Sequence, residues 1–321
     1  MSTIYDISKK SGFSPSTVSR ALNNSSRISG ETKEIIFKIA NELNYIPNNK
    51  AISLSTGKSY TIGIIIPYVT YNSYYSSLIN SIIYESFKRN YRVTFLPTNY
   101  DKEAEINYLK LLSTKEFDGI IITSAANSYD IIEKYLEYGH IVSCEDTGNS
   151  AIPSVALDKS KTYRSILEIL KSNGIYNVGL TFSRLPNSSL NSKNTYSAFS
   201  KSLNTFREEN TFSNCRNFED GIKAGTYFNS ITPKLQCIFA NSDEIASGIY
   251  WYFKNNNLES PIIIGQDNSS NSKVLNLSTI DFHLEDLGIE AVRLCISGNK
   301  EKKVIEGTFI DRNNLILCFQ P

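Results

Sequence analysis

A chain of 321 residues is longer than one compact core usually supports, so two or three domains are expected. With 40% hydrophobic and 20% charged residues it can bury a real core, and no run of about 18 apolar residues offers a membrane span. The net charge of +1 hides an asymmetry. Residues 1–60 carry eight basic side chains (Lys9, Lys10, Arg20, Arg27, Lys33, Lys38, Lys50, Lys58) against four acidic ones (Asp6, Glu31, Glu34, Glu42). A small basic head on a mildly acidic body fits a polyanion-binding module attached to something else. The five cysteines (Cys144, Cys215, Cys237, Cys295, Cys318) follow no CxxC spacing, and only His140 and His283 could join them as soft metal ligands. They read as reduced core residues, and no metal or cofactor is expected. The opening MSTIYDISKK holds no apolar signal core, so the expected compartment is the cytoplasm.

Three short helices fit residues 3–44. Thr3 can cap the first, with Asp6 in capping-box position and Ile4 and Ile7 on its apolar stripe. Gly12 ends that helix. Ser14 caps the second, Pro15 occupies its first position, and Val18, Ala21 and Leu22 face inward. Ser29 begins a third, with Ile35, Ile36, Ile39, Ala40 and Leu43 at helical spacing. Asn44 is a left-handed stop and Pro47 a breaker. Residues 47–60 read as a polar linker in which Ala51 and Leu54 form one small apolar pair, too short to hold a helix in water unaided.

From Thr61 the pattern changes to apolar runs alternating with amphipathic stretches: 61–66, 92–96, 118–123, 140–143, 154–157, 177–182, 235–240 and 261–265. Near-continuous apolar strands spaced by helices indicate parallel α/β sheets, enough here for two. The expected organisation is a helix-turn-helix domain over 1–46, a linker over 47–60 and a two-lobed α/β body over 61–321. One lobe would take about 61–157 plus 282–313, the other about 158–281 plus 314–321.

A helix, a glycine turn and a second helix with small polar residues on its outer face suit a major groove, because the backbone must approach base edges closely. The words TIYDISKKSGFSPSTVSRALNN, then IS-x-ET-x-x-x-I and LNYIPN, resemble the DNA-binding head of the lactose- and galactose-repressor (LacI/GalR) family. The resemblance continues through A-x-x-L in the linker, SYTIGIIIP, DGIIIT, SDEIASG, IGQDN, LSTID and LGIEAVRL.

The resemblance implies a periplasmic-binding-protein-like body and roles for particular residues. Pro15, Ser16 and Arg20 would read bases. Thr3, Tyr5, Thr17, Ser19, Asn23 and Tyr45 would position the DNA backbone, although Tyr5 and Tyr45 could simply pack. Ala51 and Leu54 would form the hinge, with Leu54 wedged into a central base step from the minor groove. Wedging needs two hinges side by side, hence a homodimer on near-palindromic double-stranded operator DNA. The chain closes on a strand-like run with no heptad pattern after it, so a dimer and not a tetramer is expected.

In doubly wound sheets ligands sit beyond the C-terminal strand ends. Those ends, with the resemblance, single out Tyr68, Glu145, Lys193, Ser242 and Asp267 for a small-molecule effector, expected to be a sugar. Several have plainer readings: Ser242 could only finish a strand, Lys193 be a solvated lysine, Asp267 cap a loop and Tyr68 reflect a tyrosine-rich composition. Asp158 and Asp243 are expected to cap helices. Lys193 stands where the family usually carries an arginine, which loses the planar two-pronged donor. The sequence holds no GxSxG, GxxxxGK[ST] or HExxH motif, so no catalytic residues are expected. The expected function is a repressor controlled by an effector. The alternatives are a regulator of the same fold controlled by a protein partner and a catalytically inert cytosolic sugar-binding protein.

Overall fold

The computed structural model describes residues 2–46, 57–68, 73–188 and 190–315. The expected hinge pair, Ala51 and Leu54, lies outside the described residues.

The head is three helices, α1 (Ile4–Ser11), α2 (Pro15–Leu22) and α3 (Gly30–Glu42). Their ends follow local chemistry. Asp6 accepts from the backbone and hydroxyl of Thr3 at 2.7 and 2.8 Å, and Gly12 takes φ +76° after α1. Ser14 accepts from the Thr17 amide at 3.2 Å, and Ser29 from the Thr32 amide at 3.3 Å. Asn44 turns left-handed at φ +47° beyond α3. Ile7, Val18, Ala21, Ile36 and Ala40 are the buried centre of the head.

Among the described residues the body holds two six-stranded sheets. The first is built from β1 (Thr61–Ile66), β2 (Arg92–Pro97), β3 (Gly119–Ile122), β4 (His140–Ser143), β5 (Ser154–Leu157) and β11 (Lys302–Ile305), in the order β11-β5-β4-β3-β1-β2. It is parallel throughout, with Ile64 opposite Phe95 on one side and Ile121 on the other. The second contains β6 (Val178–Thr181), β7 (Thr211–Phe212), β8 (Cys237–Phe239), β9 (Ile262–Gln266), β10 (Ser278–Asp281) and β12 (Thr308–Ile310), in the order β12-β10-β9-β8-β6-β7. Only β12 runs antiparallel, against β10.

The helices are α4 (Ser73–Lys88), α5 (Lys102–Lys110), α6 (Tyr129–Ile132) and α12 (Leu284–Ser297) on the first sheet. On the second lie α7 (Lys159–Ser172), α8 (Leu190–Ser202), α9 (Phe218–Ser230), α10 (Asp243–Asn255) and α11 (Ser270–Val274). Residues of the inner strands, such as β1 and β3, are buried on both faces because alternate side chains meet different layers. Ile64 joins Leu78, Ile82 and Val292 beneath α4 and α12, whereas Ile65 joins Leu109, Leu112 and Ile132 on the far side.

Among the described residues the chain passes between lobes three times, after β5, after β10 and after β11. The last passage corrects an expectation. Lobe 1 was expected to run to 313, but β12 already belongs to the second sheet, so the return occurs at Glu306–Gly307. The reason is short-range. Gly307 donates to Thr162 Oγ1 at 3.0 Å, and a Cβ on Gly307 would lie 2.8 Å from the Phe282 ring, so the three passages pack on one another.

Candidate DNA-binding and ligand-binding sites

In the head, α2 turns Val18 and Ala21 into the core and leaves Ser16, Arg20 and Asn23 exposed, with Pro15, Thr17 and Ser19 half-buried. Pro15 at the first helical position removes an N–H that would otherwise lack a helical partner. The Ser14, Ser16 and Thr17 hydroxyls interact at 2.9 Å, so the start of α2 is a knot of small hydrogen-bonding groups. Arg20 forms no ion pair among the described residues, nor do Lys9, Arg27 and Lys38. These are cations left to solvent or to a polyanion. Tyr5 is 69% exposed, while Tyr45 packs against the head core. Thr3 is exposed and committed to Asp6. Lys10 crosses from α1 to Glu42 on α3 at 2.8 Å, and this hydrogen bond holds the Glu42 carboxyl below its usual range.

In the body, a polar chain runs along the C-terminal ends of the first sheet. The Tyr68 ring meets Tyr100 edge-on at 5.4 Å, the Tyr100 hydroxyl lies 3.2 Å from Ser124 Oγ, and Ser124 donates to Glu145 at 2.8 Å. Glu145 also accepts from the Ala125 amide at 3.0 Å and from Tyr129 at 3.2 Å. From the second lobe, Arg184 lays its guanidinium 4.1 Å from the Tyr100 ring centroid and donates to that hydroxyl at 2.8 Å. Lys159, half-buried at the start of α7, lies 5.0 Å from the Phe282 ring. Burial pulls its ammonium below the usual range, opposed by Asp267 of the second lobe and Glu145 of the first.

Asp267 stands at the end of β9 with φ +94°, followed by Asn268 at +47°. Two successive side chains in this region carry backbone strain that the surroundings must hold. Asp243 holds it: it is wholly buried and accepts from the Ser269 amide and from Thr279 Oγ1, both at 2.6 Å. Burial pushes its carboxyl up from the usual range. A side chain on Gly265 would collide with Asp243, so glycine is required there.

The structure thus gathers Tyr68, Glu145 and Asp267 with Tyr100, Arg184 and Lys159, three residues the sequence reading passed over. Arg184 was within reach, because it follows Ser183 at the end of the 177–182 run. Lys193 is not gathered; it is exposed on α8 with no ion pair among the described residues. Ser242 is 4% exposed and caps α10 through the Ile245 amide at 3.2 Å. The cap expected of Asp243 is made by Ser242 instead, while Asp243 staples the 267–279 loop. Asp158 caps α7 through the Lys161 amide at 2.9 Å. The described cysteines are buried, and burial pushes the Cys215 and Cys295 thiols up to about 12. Among the described residues no helix is long and apolar enough to cross a membrane.

Residues 3–48 match the model of the bacterial regulatory proteins of the lacI family, and residues 59–318 that of the periplasmic binding proteins and sugar binding domain of the LacI family. The chain is 38% identical to catabolite control protein B of Bacillus subtilis (strain 168), over 92% of this chain and 94% of that protein. It is 32% identical to the NTD biosynthesis operon regulator NtdR of the same organism, over 93% and 94%. Its fold is similar to that of the Lac repressor dimer bound to operator and the anti-inducer ONPF, with TM-score 0.83 and 20% identity over 97% of this chain and 98% of that one. It is also similar to the transcriptional regulator CelR in complex with cellobiose, with TM-score 0.66 and 16% identity over 97% and 99%. A DNA-sized helical head, a two-lobed α/β body and matches spanning both show that the chain belongs to the LacI family of transcriptional regulators.

Proposed function

We propose that two copies of this chain bind a near-palindromic operator and repress transcription there, with a sugar or sugar derivative between the lobes setting the affinity. The observation that carries this reading is the outer face of α2, where Ser16, Arg20 and Asn23 stand exposed with Pro15, Thr17 and Ser19 beside them. In this reading Pro15, Ser16 and Arg20 face base edges, while Thr3, Tyr5, Thr17, Ser19, Asn23 and Tyr45 address phosphates. Ala51 and Leu54 form the minor-groove wedge. The work is done in the bacterial cytoplasm, where the DNA is.

The cleft chemistry supports a polyol. Carboxylates Glu145 and Asp267 accept from hydroxyls, Arg184 and Lys159 donate, and the Tyr68 and Tyr100 rings offer apolar faces of sugar size. A second copy has a place to pack. Ile83, Tyr84 and Phe87 (76% exposed) lie on α4, which packs beside the edge strand β2 that carries the exposed Phe95. An exposed apolar group of this kind marks an interaction surface.

Selection of bound sites from random duplexes by the full chain tests the reading. Exchanges at Pro15 and Ser16 should change the preferred bases, and Arg20→Ala should remove about 1–3 kcal/mol of discrimination at one position. Tyr5→Ala should weaken every site alike. A monomer that recovers no common sequence would overturn it.

A further inference from the structure

The last two residues before β1, Ser59 and Tyr60, are held by one side chain. Asp118, half-buried at the start of β3, accepts from the Ser59 amide at 2.6 Å, the Ser59 hydroxyl at 3.0 Å and the Tyr60 amide at 3.0 Å. Arg92 closes the other side, donating through Nη2 to the Ser59 carbonyl at 3.2 Å and to Thr61 Oγ1 at 3.1 Å. The Tyr60 ring packs on Tyr91 at 5.6 Å, and the Tyr91 phenol, pushed up to about 12 by burial and then by Asp118, faces the same carboxylate. Tyr60 itself sits at φ +51°, a backbone that tyrosine rarely adopts. Strand β1 does not need this clamp. Thr61 is already in register with Arg92, and its carbonyl accepts from the Asp118 amide at 2.9 Å. Apart from the Tyr91 phenol beside it, the carboxylate acts on Ser59 and Tyr60, that is, on the connection to the head.

Strand β3 links this clamp to the cleft. Its four residues are wholly buried and paired on both sides, by β1 and β4. Immediately before it stands Asp118. Immediately after it come Thr123 and Ser124, whose hydroxyl donates to Glu145. One rigid strand therefore carries the cleft's polar chain at one end and the head's attachment at the other.

We infer that Asp118 is a positioning residue that fixes where the DNA-binding head joins lobe 1, so that lobe geometry sets the spacing of the two heads on DNA. This rests on the dimeric DNA-binding reading above. Half-site spacing is a geometric property of such dimers, and coupling between distant sites is typically about 5–150-fold.

The test uses the full chain, the duplex it selects from a random pool, and that duplex with one base pair inserted at its centre. The wild type should lose affinity on insertion. Asp118→Asn, which keeps the shape but loses the charge and one acceptor, should shrink that loss by about 5-fold or more. It should also speed hydrogen exchange at the Ser59 and Tyr60 amides. Arg92→Ala should do the same to a smaller degree from an exposed position, independent of any folding defect at β3. A lowered melting temperature with unchanged spacing discrimination in both variants overturns the inference and leaves Asp118 a structural staple. Unchanged exchange at Ser59 and Tyr60 overturns it as well. A wild type indifferent to every duplex overturns the DNA-binding reading first and this inference with it.

Discussion

The head closes around five buried side chains, Ile7, Val18, Ala21, Ile36 and Ala40, while each lobe of the body sandwiches a six-stranded sheet between helical layers. The head keeps its candidate DNA-facing side chains outside that small core, on a helix whose inner face is already committed. The body places its candidate ligand-binding side chains at strand ends, where their positions depend on partners far away in sequence. Arg184 reaches Tyr100 across 84 residues, and Asp243 reaches Thr279 across 36. A small scaffold can thus present a site by local rules alone, but it holds little stability in reserve. A large scaffold has that reserve and spends contacts on orientation.

The sharpest way to break this contrast is to cut a cavity in each part. Ile36→Ala should cost the head about 2–5 kcal/mol, most of what so small a core supplies. Operator binding and part of the helical circular dichroism should vanish while the body's melting transition stays in place. Phe199→Ala, in a wholly buried aromatic cluster with Tyr163 and Phe239, should cost about 3–5 kcal/mol, lowering the body transition while leaving it folded. A single transition that shifts with either change would mean that head and body are one cooperative unit.

A smaller effect should separate the lobes. Arg184→Ala removes a half-buried cation–π contact and a charged hydrogen bond, about 1 kcal/mol after allowing for solvent screening. A larger radius of gyration in X-ray scattering, with head stability unchanged, is the expected result. An identical scattering profile would show that the three passages alone hold the lobes.

The smallest effect is electrostatic and confined to the head. Hydrogen bonds hold Asp6 and Glu42 below their ordinary carboxylate range, through Thr3 and Lys10 respectively. Their contribution is therefore fully present above the unfolded values and is lost as pH falls through the lower folded ones. Glu42→Gln should flatten the acid limb of head stability without moving the body's. Both groups are exposed, so the slope should also weaken in salt.

How much the sequence disclosed follows the same division. Gly12, Ser14, Pro15 and Asn44 act on neighbours within a few residues, so their roles could be read directly. The strands covered on both faces, such as β1 and β3, announced themselves as apolar runs. The edge strands β7, β11 and β12 are short and only partly buried, and the lobe boundary was misplaced with them. Ser242 and Asp243 were both seen, but which of them caps the helix depends on Thr279 and Ser269, invisible from the local pattern. Tyr100, Arg184 and Lys159 are ordinary surface residue types until the fold sets them opposite one another. Lys193 shows the converse, a residue marked by resemblance and left by the fold in solvent.

The contact among Thr162, Phe282 and Gly307 has a wider consequence. Three covalent passages bundled side by side behave like the pins of a single door: swinging is permitted, while twisting or sliding would tear the bundle apart. A molecule lodged between the leaves would then act elsewhere chiefly through the angle it sets between them. Descendants of such a chain are free to exchange one guest for another by altering a few groups at the strand tips, with no need to rebuild the machinery that conveys the guest's arrival.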